Sequence, residues 1–389
     1  MFGKNKSDSF LGVDIGAGGI KLVELKKTKG RPQLWTYGLA DADLDVHLHG
    51  VHHDELAEEP MPEIHQIAPR MRPEMEKEEP KKQKSTKFAH FEDDARVEKY
   101  GAILKQLLKE AKVTSSYATA SLPVSYIFHA LVTLPKVDEK ELNHHIRAKI
   151  KKMLPNEIDD MQIVFQKVPD IDGRDPKFFK YLVTAAPKQL VAFYTAIFEK
   201  AGLQLQELET EAFALARALV GLDKSTSMIV DIGAERTNFF IVDQGLPMTH
   251  RSIQMGGQSI DTILAAHLGV DQKLAQQIKL DISDQEKMNV PDSLFHPVID
   301  PIIKEIEYSF NLFLKQNGNE EKKPEKIILT GGSAVFPLFK DFIEQRFPMR
   351  VFVGDPWARV VYQQGLKSVL DTIGPRMGVT IGLAMRNIV

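Results

Sequence analysis

The tetrapeptide Asp-Ile-Gly-Ala follows a β-rich run twice in this chain, at Asp14 and at Asp231, and each copy leads into further strand-like sequence. The first stretch reads FLGVDIG, GIKLVELKK and RPQLWTYGLA, short runs separated by a glycine turn and a Lys-Gly-Arg-Pro turn. The second reads MIVDIGAERTNFFIVDQGLPMTHRSI, again strand, tight turn, strand, turn, strand. Two meanders with one motif imply an internal duplication, with one copy in each of two lobes. A length of 389 residues agrees, because it is more than one average domain needs.

The turns carry chemistry. A strand that delivers Asp14 into Gly16-Ala17-Gly18-Gly19 sets a carboxylate beside backbone that can approach a phosphate without Cβ obstruction, and Lys21 adds a mobile cation. Alone, such a turn is as readily a structural hairpin. The second copy offers Gly233, Ala234 and the Thr237 hydroxyl, so that two loops could grip a phosphate chain from opposite sides. Asp14 and Asp231 would then face a hydrated Mg²⁺, which prefers oxygen ligands. Gly256-Gly257 opens a helical run, GGQSIDTILAAHL, whose free N–H groups would suit an anion, and Thr330-Gly331-Gly332-Ser333 stands between a strand and a helix where a base or ribose could approach. Either could also be an ordinary packing glycine. Four glycine clusters, each at the end of an element, argue together for a nucleotide.

The remaining chain reads as follows. From about Asp43 to Asp94 the sequence is rich in Pro, Met, Glu, Lys and His without periodicity, and is expected to be a disordered insertion. Its HLHGVHHDE stretch with His65 is a weak candidate for a transition metal. An amphipathic helix follows Asp94, then a small α+β unit from Ser121 to Ala186, then two helices, PKQLVAFYTAIFEKAG and ELETEAFALARALVG. Late in the chain come a long helix, PIIKEIEYSFNLFLKQNG, a buried-strand signal, KIILTGG, and a final apolar segment, MGVTIGLAMRNIV. The basic face of HHIRAKIKKML reads as solvated surface or as a face for an anionic partner.

Bulk properties narrow the function. Lys+Arg 50 against Asp+Glu 53 leaves a net charge of -3, with no basic field for nucleic acid. With Cys 0, disulfides and thiolate metal sites are excluded. No apolar run approaches the roughly 18–20 residues of a membrane span, and MFGKNKSDSF lacks a signal peptide's apolar core. A cytoplasmic protein that meets the membrane through partners is expected.

In this order the motifs resemble the actin, heat-shock chaperone and sugar kinase superfamily: a first phosphate loop (DIGAGGIK), a connecting helix (ETEAFALARAL), a second phosphate loop (DIGAERTN), an adenosine loop (LTGGSAVFP) and a closing helix (GVTIGLAMR). GVDIGAGGIKLVEL, IRAKIKKMLPNEIDDMQIVFQKV, FFKYLVTAAPKQLVAFYTAIFEKAGL and LETEAFALARAL are similar to the PilM family of type IV pilus assembly proteins. The resemblance implies an α/β, actin-like (ribonuclease H-like, duplicated) two-lobed ATPase fold with a relocated small α+β subdomain. It divides the chain into 9–42 with 95–120 as the first lobe, 43–94 as the insertion, 121–186 as the partner-binding subdomain and 187–226 as connecting helices. The second lobe takes 227–372 and the closing helix 373–389.

It further implies ATP with Mg²⁺ in the cleft and, beside the subdomain, the cytoplasmic N-terminal peptide of PilN. Pilus motor ATPases and a homo-oligomer or ring are further candidates. Glu211 matches the polar residue near the attacking water, with Asp14 and Asp231 as its catalytic companions, and Gln276 and Lys279 match positions that touch ribose and adenine. Two departures bear on turnover: the first turn is Ala-Gly-Gly where relatives carry a hydroxyl, and Gln276 replaces an acid. Backbone cradling can hold ATP without fast hydrolysis, so at most a slow ATPase is expected. The alternatives are an FtsA-like division protein, whose linker and amphipathic membrane helix have no counterpart after the closing segment, a sugar or acetate kinase, and a nucleotide-free scaffold.

Overall fold

The computed structural model describes residues 9–46, 94–154, 157–169, 177–281, 291–316 and 318–389. Most of the expected insertion, with the His-rich stretch and His65, lies outside the described residues.

The first meander forms as its alternation dictates: β1 (Ser9–Gly16), β2 (Gly19–Thr28) and β3 (Arg31–Asp41) pair antiparallel in sequence order. Residues 43–46, assigned above to the insertion, are ordered: Leu44 is buried in the first core and its N–H donates to the Ala17 carbonyl at 3.0 Å. Asp94 then caps α1 (Ala95–Glu110), accepting from the Arg96 N–H at 2.8 Å, and β4 (Tyr117–Leu122) joins β1 in parallel.

The chain now leaves this sheet. β5 (Phe128–Pro135), α2 (Glu139–Ile150), β6 (Met161–Lys167) and β7 (Phe178–Pro187) make a separate antiparallel sheet in the order β5-β7-β6, with Ile146 and Ile150 of α2 buried against Val132, Leu134 and Val183. It then returns through α3 (Lys188–Ala201), which ends at Gly202 with φ 82, where a left-handed residue lets the chain reverse. The stretch ELETEAFALARALVG divides at a point that its composition hides. Its first four residues belong to β8 (Gln204–Thr210), paired parallel with β4, and α4 (Glu211–Leu215) begins at Glu211 and widens into a π turn over Ala216–Val220. The apolar 3.6-residue rhythm resides only in the second part, while β8 takes its conformation from its neighbour. The segment 187–226 thus supplies α3 and β8 to the first lobe as well as the connection.

The second lobe repeats the plan. β9 (Ser227–Ile232), β10 (Thr237–Asp243) and β11 (Leu246–Ile253) form the meander. Helices α5 (Gly257–Leu268), α6 (Gln272–Asp281) and α7 (His296–Leu314) follow, then β12 (Lys326–Thr330), α8 (Pro337–Arg346) and β13 (Arg350–Val353). The strand orders β3-β2-β1-β4-β8 and β11-β10-β9-β12-β13 are the same diagram twice, a meander continued by two parallel strands. The duplication read from Asp-Ile-Gly-Ala is thus a duplication of topology.

The last helix, α9 (Lys367–Met385), lies between the lobes. Its Met377, Ile381 and Met385 bury against Val23 and Leu25 of the first sheet, and its Val379 and Leu383 against Ile229, Phe240 and Ile328 of the second. It crosses α4 so closely that a Cβ on Gly382 would run into the Ala214 backbone. Arg217, just after α4, donates to the Gly382 carbonyl at 2.6 Å and forks onto Glu209 at 2.9 and 2.6 Å. Val361, in the segment between β13 and α9, pairs with Gln33 at the outer edge of β3: the Leu34 N–H donates to Val361 and the Val361 N–H to Pro32, both at 2.9 Å. This covers part of an exposed sheet edge.

The small sheet touches the second lobe through β5 and β11. His129 and His250 meet there with ring centroids 5.2 Å apart and planes inclined at 60°, and the His129 Nε2 lies 3.0 Å from the Pro247 carbonyl oxygen. Burial pushes both imidazoles down, His129 to about 4 and, with further repulsion from His129, His250 to about 3.

Two outcomes follow from this packing. Gly382→Val should lower unfolding free energy by roughly 3 kcal/mol in urea melts, since α9 and α4 must separate to admit the side chain. The unfolded chain binds protons at both histidines below their ordinary value of 6.5 while the folded chain does not. Stability is therefore retained above about 6.5 and falls as pH drops towards 4, and His250→Phe should flatten that slope in denaturation curves taken between pH 4.5 and 7.

Candidate functional site

The lobes face each other across a cleft of about 870 Å³, within the range for a small-molecule pocket. The two glycine turns meet near its floor: a Cβ on Gly18 would stand 3.2 Å from the Ala234 Cβ. Gly16, Ala17, Gly18 and Lys21 line one wall, Gly233 and Ala234 the opposite wall, and Gly331, Gly332 and Ser333 a third side, where they follow β12. At its mouth the cleft continues into a more open recess bordered by Asp43, Leu44, Asp45, Arg96 and Tyr100.

Three carboxylates converge on the cleft because three elements end there. Asp14 comes from the end of β1, Asp231 from the matching end of β9, and Glu211 from the first turn of α4. Asp14 is buried and already partnered, with Lys21 Nζ donating to its Oδ2 at 3.0 Å and Ser121 Oγ to its Oδ1 at 2.6 Å. Glu211 and Asp231 keep part of their surface open to the cleft. Burial, then repulsion from Asp14 and Asp231, pushes the Glu211 carboxyl well up. Asp231 rises to about 6 through burial and the Asp14 charge, opposed by Lys21 and by a hydrogen bond from Asn238. Asn238 also donates to Glu211 Oε2 at 3.2 Å, so one amide orients both acids.

Several expected ligands sit otherwise. Thr237 is fully buried and its hydroxyl donates to the Met255 carbonyl at 2.6 Å, away from the cleft; it pairs with Ile232 on one side and Ile253 on the other, which turns its side chain inward. Gly256 and Gly257 hold α5 against the second turn: the Gly257 and Gln258 N–H groups donate to Gly233 and Ala234 at 2.9 and 2.8 Å, so these helix-terminal donors already have acceptors. Gly19 makes the hairpin reversal between β1 and β2 and does not line the cleft. Lys279 does line it, but as a buried strut that donates to Asp261 Oδ2 at 2.9 Å and to the Gly257 carbonyl at 3.1 Å, while Gln276 is exposed at the wall. Gly331 has φ +91, and a Cβ there would come within 2.5 Å of Asp231 Oδ1, so the turn needs glycine to pass over that carboxylate.

Sequence reasoning missed Asn238, Ser121 and Arg236, all of which bear on the cleft. Asn238 stands opposite Asp231 in the β9–β10 ladder, a register that a two-strand reading of the second meander could have found. Ser121 lies on a strand far from Asp14 in sequence, and no local pattern marks it.

Two copies of one five-stranded sheet, a helix shared between them, and a cleft floored by two glycine turns define an actin-like two-lobed protein. The chain belongs to the family described as type IV pilus assembly protein PilM, whose sequence profile matches residues 79–388. The resemblance read from the motifs is thereby borne out, and the FtsA-like alternative is not favoured. Among solved structures the chain is similar to the PilM-PilN type IV pilus biogenesis complex, with 20% identity, 98% of each chain covered and a TM-score of 0.73. Looser likenesses are ethanolamine utilization protein EutJ from Carboxydothermus hydrogenoformans and MreB5 of Spiroplasma citri bound to AMPPNP. EutJ has 15% identity over 98% and 91% of the chains with a TM-score of 0.49; MreB5 has 14% over 97% and 95% with 0.45. Among the described residues no helix is long and apolar enough to cross a membrane.

The raised Asp231 carboxyl makes a checkable statement about stability. Its acid is favoured in the folded chain, so its contribution is present below about 4 and is lost as pH rises through about 6. Asp231→Asn should therefore stabilise the ligand-free protein by roughly 1–2 kcal/mol at pH 7.5 and by almost nothing at pH 4, measured by urea unfolding.

Proposed function

We propose that this pilus assembly protein holds ATP with Mg²⁺ between its lobes and uses the occupied cleft to set how it engages the cytoplasmic N-terminal peptide of PilN. The observation that carries the nucleotide reading is the convergence of Asp14, Asp231 and Glu211 beside three glycine turns that leave backbone uncovered. The residues fit the metal. Burial and then the neighbouring acids raise the Asp231 and Glu211 carboxyls, and a divalent cation would relieve the mutual repulsion. Asp231 would be its foremost ligand, with Asp14 reached through water because both Asp14 oxygens already accept hydrogen bonds. When bound, Mg²⁺ would neutralise phosphate charge.

The chain's own residues do the rest. Lys21 anchors the Asp14 side chain, and Asn238 fixes Glu211 and Asp231 in one orientation. Gly331 and Gly332 offer close approach to a ribose or base, with the Arg376 stem packed 3.5 Å from the Cβ position of Gly332. Glu211, its carboxyl raised by burial and by the Asp14 and Asp231 charges, lines the cleft where it would take a proton from an attacking water. The PilN reading draws support from the structure of a PilM-PilN complex, whose fold this chain shares, and from the small sheet, whose strands pair with neither five-stranded sheet.

Calorimetry at pH 7.5 tests both parts. ATP with Mg²⁺ should bind, and a synthetic peptide of the PilN cytoplasmic N-terminus should bind with an affinity that differs between ATP-loaded and nucleotide-free protein. Absence of heat with ATP and with ADP would leave the scaffold alternative standing, and a peptide that does not bind in either state would remove PilN as the partner. Glu211→Ala should retain ATP and lose what phosphate release there is.

A further inference from the structure

Five cationic side chains border the cleft: Lys21, Arg236, Lys273, Lys279 and Arg376. Three are neutralised by a neighbouring carboxylate, Lys21 by Asp14 at 3.0 Å, Lys279 by Asp261 at 2.8 Å, and Arg376 by Asp41. Lys273 is exposed at the rim on α6. Arg236 differs from all of these. It forms no ion pair among the described residues, and its Nε is shut off from solvent without a hydrogen-bond acceptor. A desolvated guanidinium donor with no acceptor is costly, and buried donors are otherwise almost always paired, so the group calls for an acceptor from outside the chain.

Its position specifies the ligand. The Arg236 carbonyl accepts from the Gly233 N–H at 2.9 Å, which closes the second glycine turn and makes a rigid base for the side chain. Ala234 of that turn faces Gly18 of the first turn, so Arg236 stands where the two turns approach each other. The anion-binding charge expected there from the start of α5 is missing, because the Gly257 and Gln258 N–H groups donate to Gly233 and Ala234. A terminal phosphate entering between the turns would thus meet one unneutralised donor, and a guanidinium presents a planar fork matched to phosphate oxygens.

We propose that Arg236 is the residue that lets the cleft distinguish a nucleoside triphosphate from a diphosphate, through a forked hydrogen bond to the terminal phosphate. This rests on the nucleotide reading above. Arg236 acts in binding, and no bond is made or broken.

The test measures ATP and ADP affinities with Mg²⁺, by calorimetry at fixed ionic strength, for the full chain and for Arg236→Ala, Arg236→Lys and Lys273→Ala. Arg236→Ala should weaken ATP roughly tenfold or more and ADP by less than about threefold, a change in the ratio that a merely structural role would not produce. Arg236→Lys should recover part of the preference, since it restores charge without the fork. Lys273→Ala removes the same charge at the rim and should leave the ratio unchanged. If Arg236→Ala weakens both nucleotides equally, or changes neither, or if Lys273→Ala shifts the ratio as much, the assignment is overturned. Wild-type protein that binds neither nucleotide would overturn the underlying reading as well, an outcome distinct from these. A thermal melt of each variant separates loss of fold from loss of ligand, and Arg236→Lys, with the smaller change in shape, keeps the test alive if Arg236→Ala unfolds.

Discussion

The close crossing of α9 over α4 is the contact on which the rest of the molecule depends. Between the sheets, α4 and the π turn pack on the second sheet, and α9 reaches both. The same helix presents Met377, Ile381 and Met385 to one sheet and Val379 and Leu383 to the other. Burying these side chains contributes on the order of 1.5–3 kcal/mol each, but only if the helix can come close enough, and Gly382 against Ala214 is what permits the approach. The Arg217 link from Glu209 to the Gly382 carbonyl then fixes the end of β8 relative to the same helix. The position of Glu211 at the cleft floor is therefore set from behind, by packing that never touches a ligand.

The cleft itself opposes that stability. Burial and the neighbouring acids raise the proton affinity of Glu211 and Asp231, and Lys21 only partly relieves them. A fold gains nothing from such a cluster in isolation, and an unrelieved cluster is the kind of local conflict found at functional sites. The contrast with the Glu24 carboxylate is instructive. Fully buried in the first lobe, it accepts from Thr114 N–H and Oγ at 2.9 and 2.6 Å and from Ser9, and its surroundings match its charge. Glu211 lacks that provision on the side open to the cleft.

What the sequence made legible was whatever is local. Asp-Ile-Gly-Ala signals a strand that ends in a tight turn, and both copies behave so at Gly16 and Gly233. Helix ends at Asp94 and Gly202 were readable from their caps. What stayed hidden depends on register or on distant pairing. Thr237 turns inward because alternation along β10 allots it the core face. The first turn of α5 is turned from anion site to structural joint by two carbonyls of the second glycine turn, a contact that residue types at 233–234 and 257–258 do not announce. Glu207-Leu208-Glu209-Thr210 took a helical reading from its neighbours, whereas its conformation comes from pairing with β4, 87 positions upstream where Tyr117 meets Gln204.

The bridge that sets Val361 beside Gln33, with α9 soon after, ties the first sheet to residues far along the chain. The strip of Val23 and Leu25 and the outer edge of β3 take much of their cover from residues more than three hundred positions further along the chain. Contacts of such separation close late in folding, so the first sheet keeps an open edge and a bare apolar strip until they form.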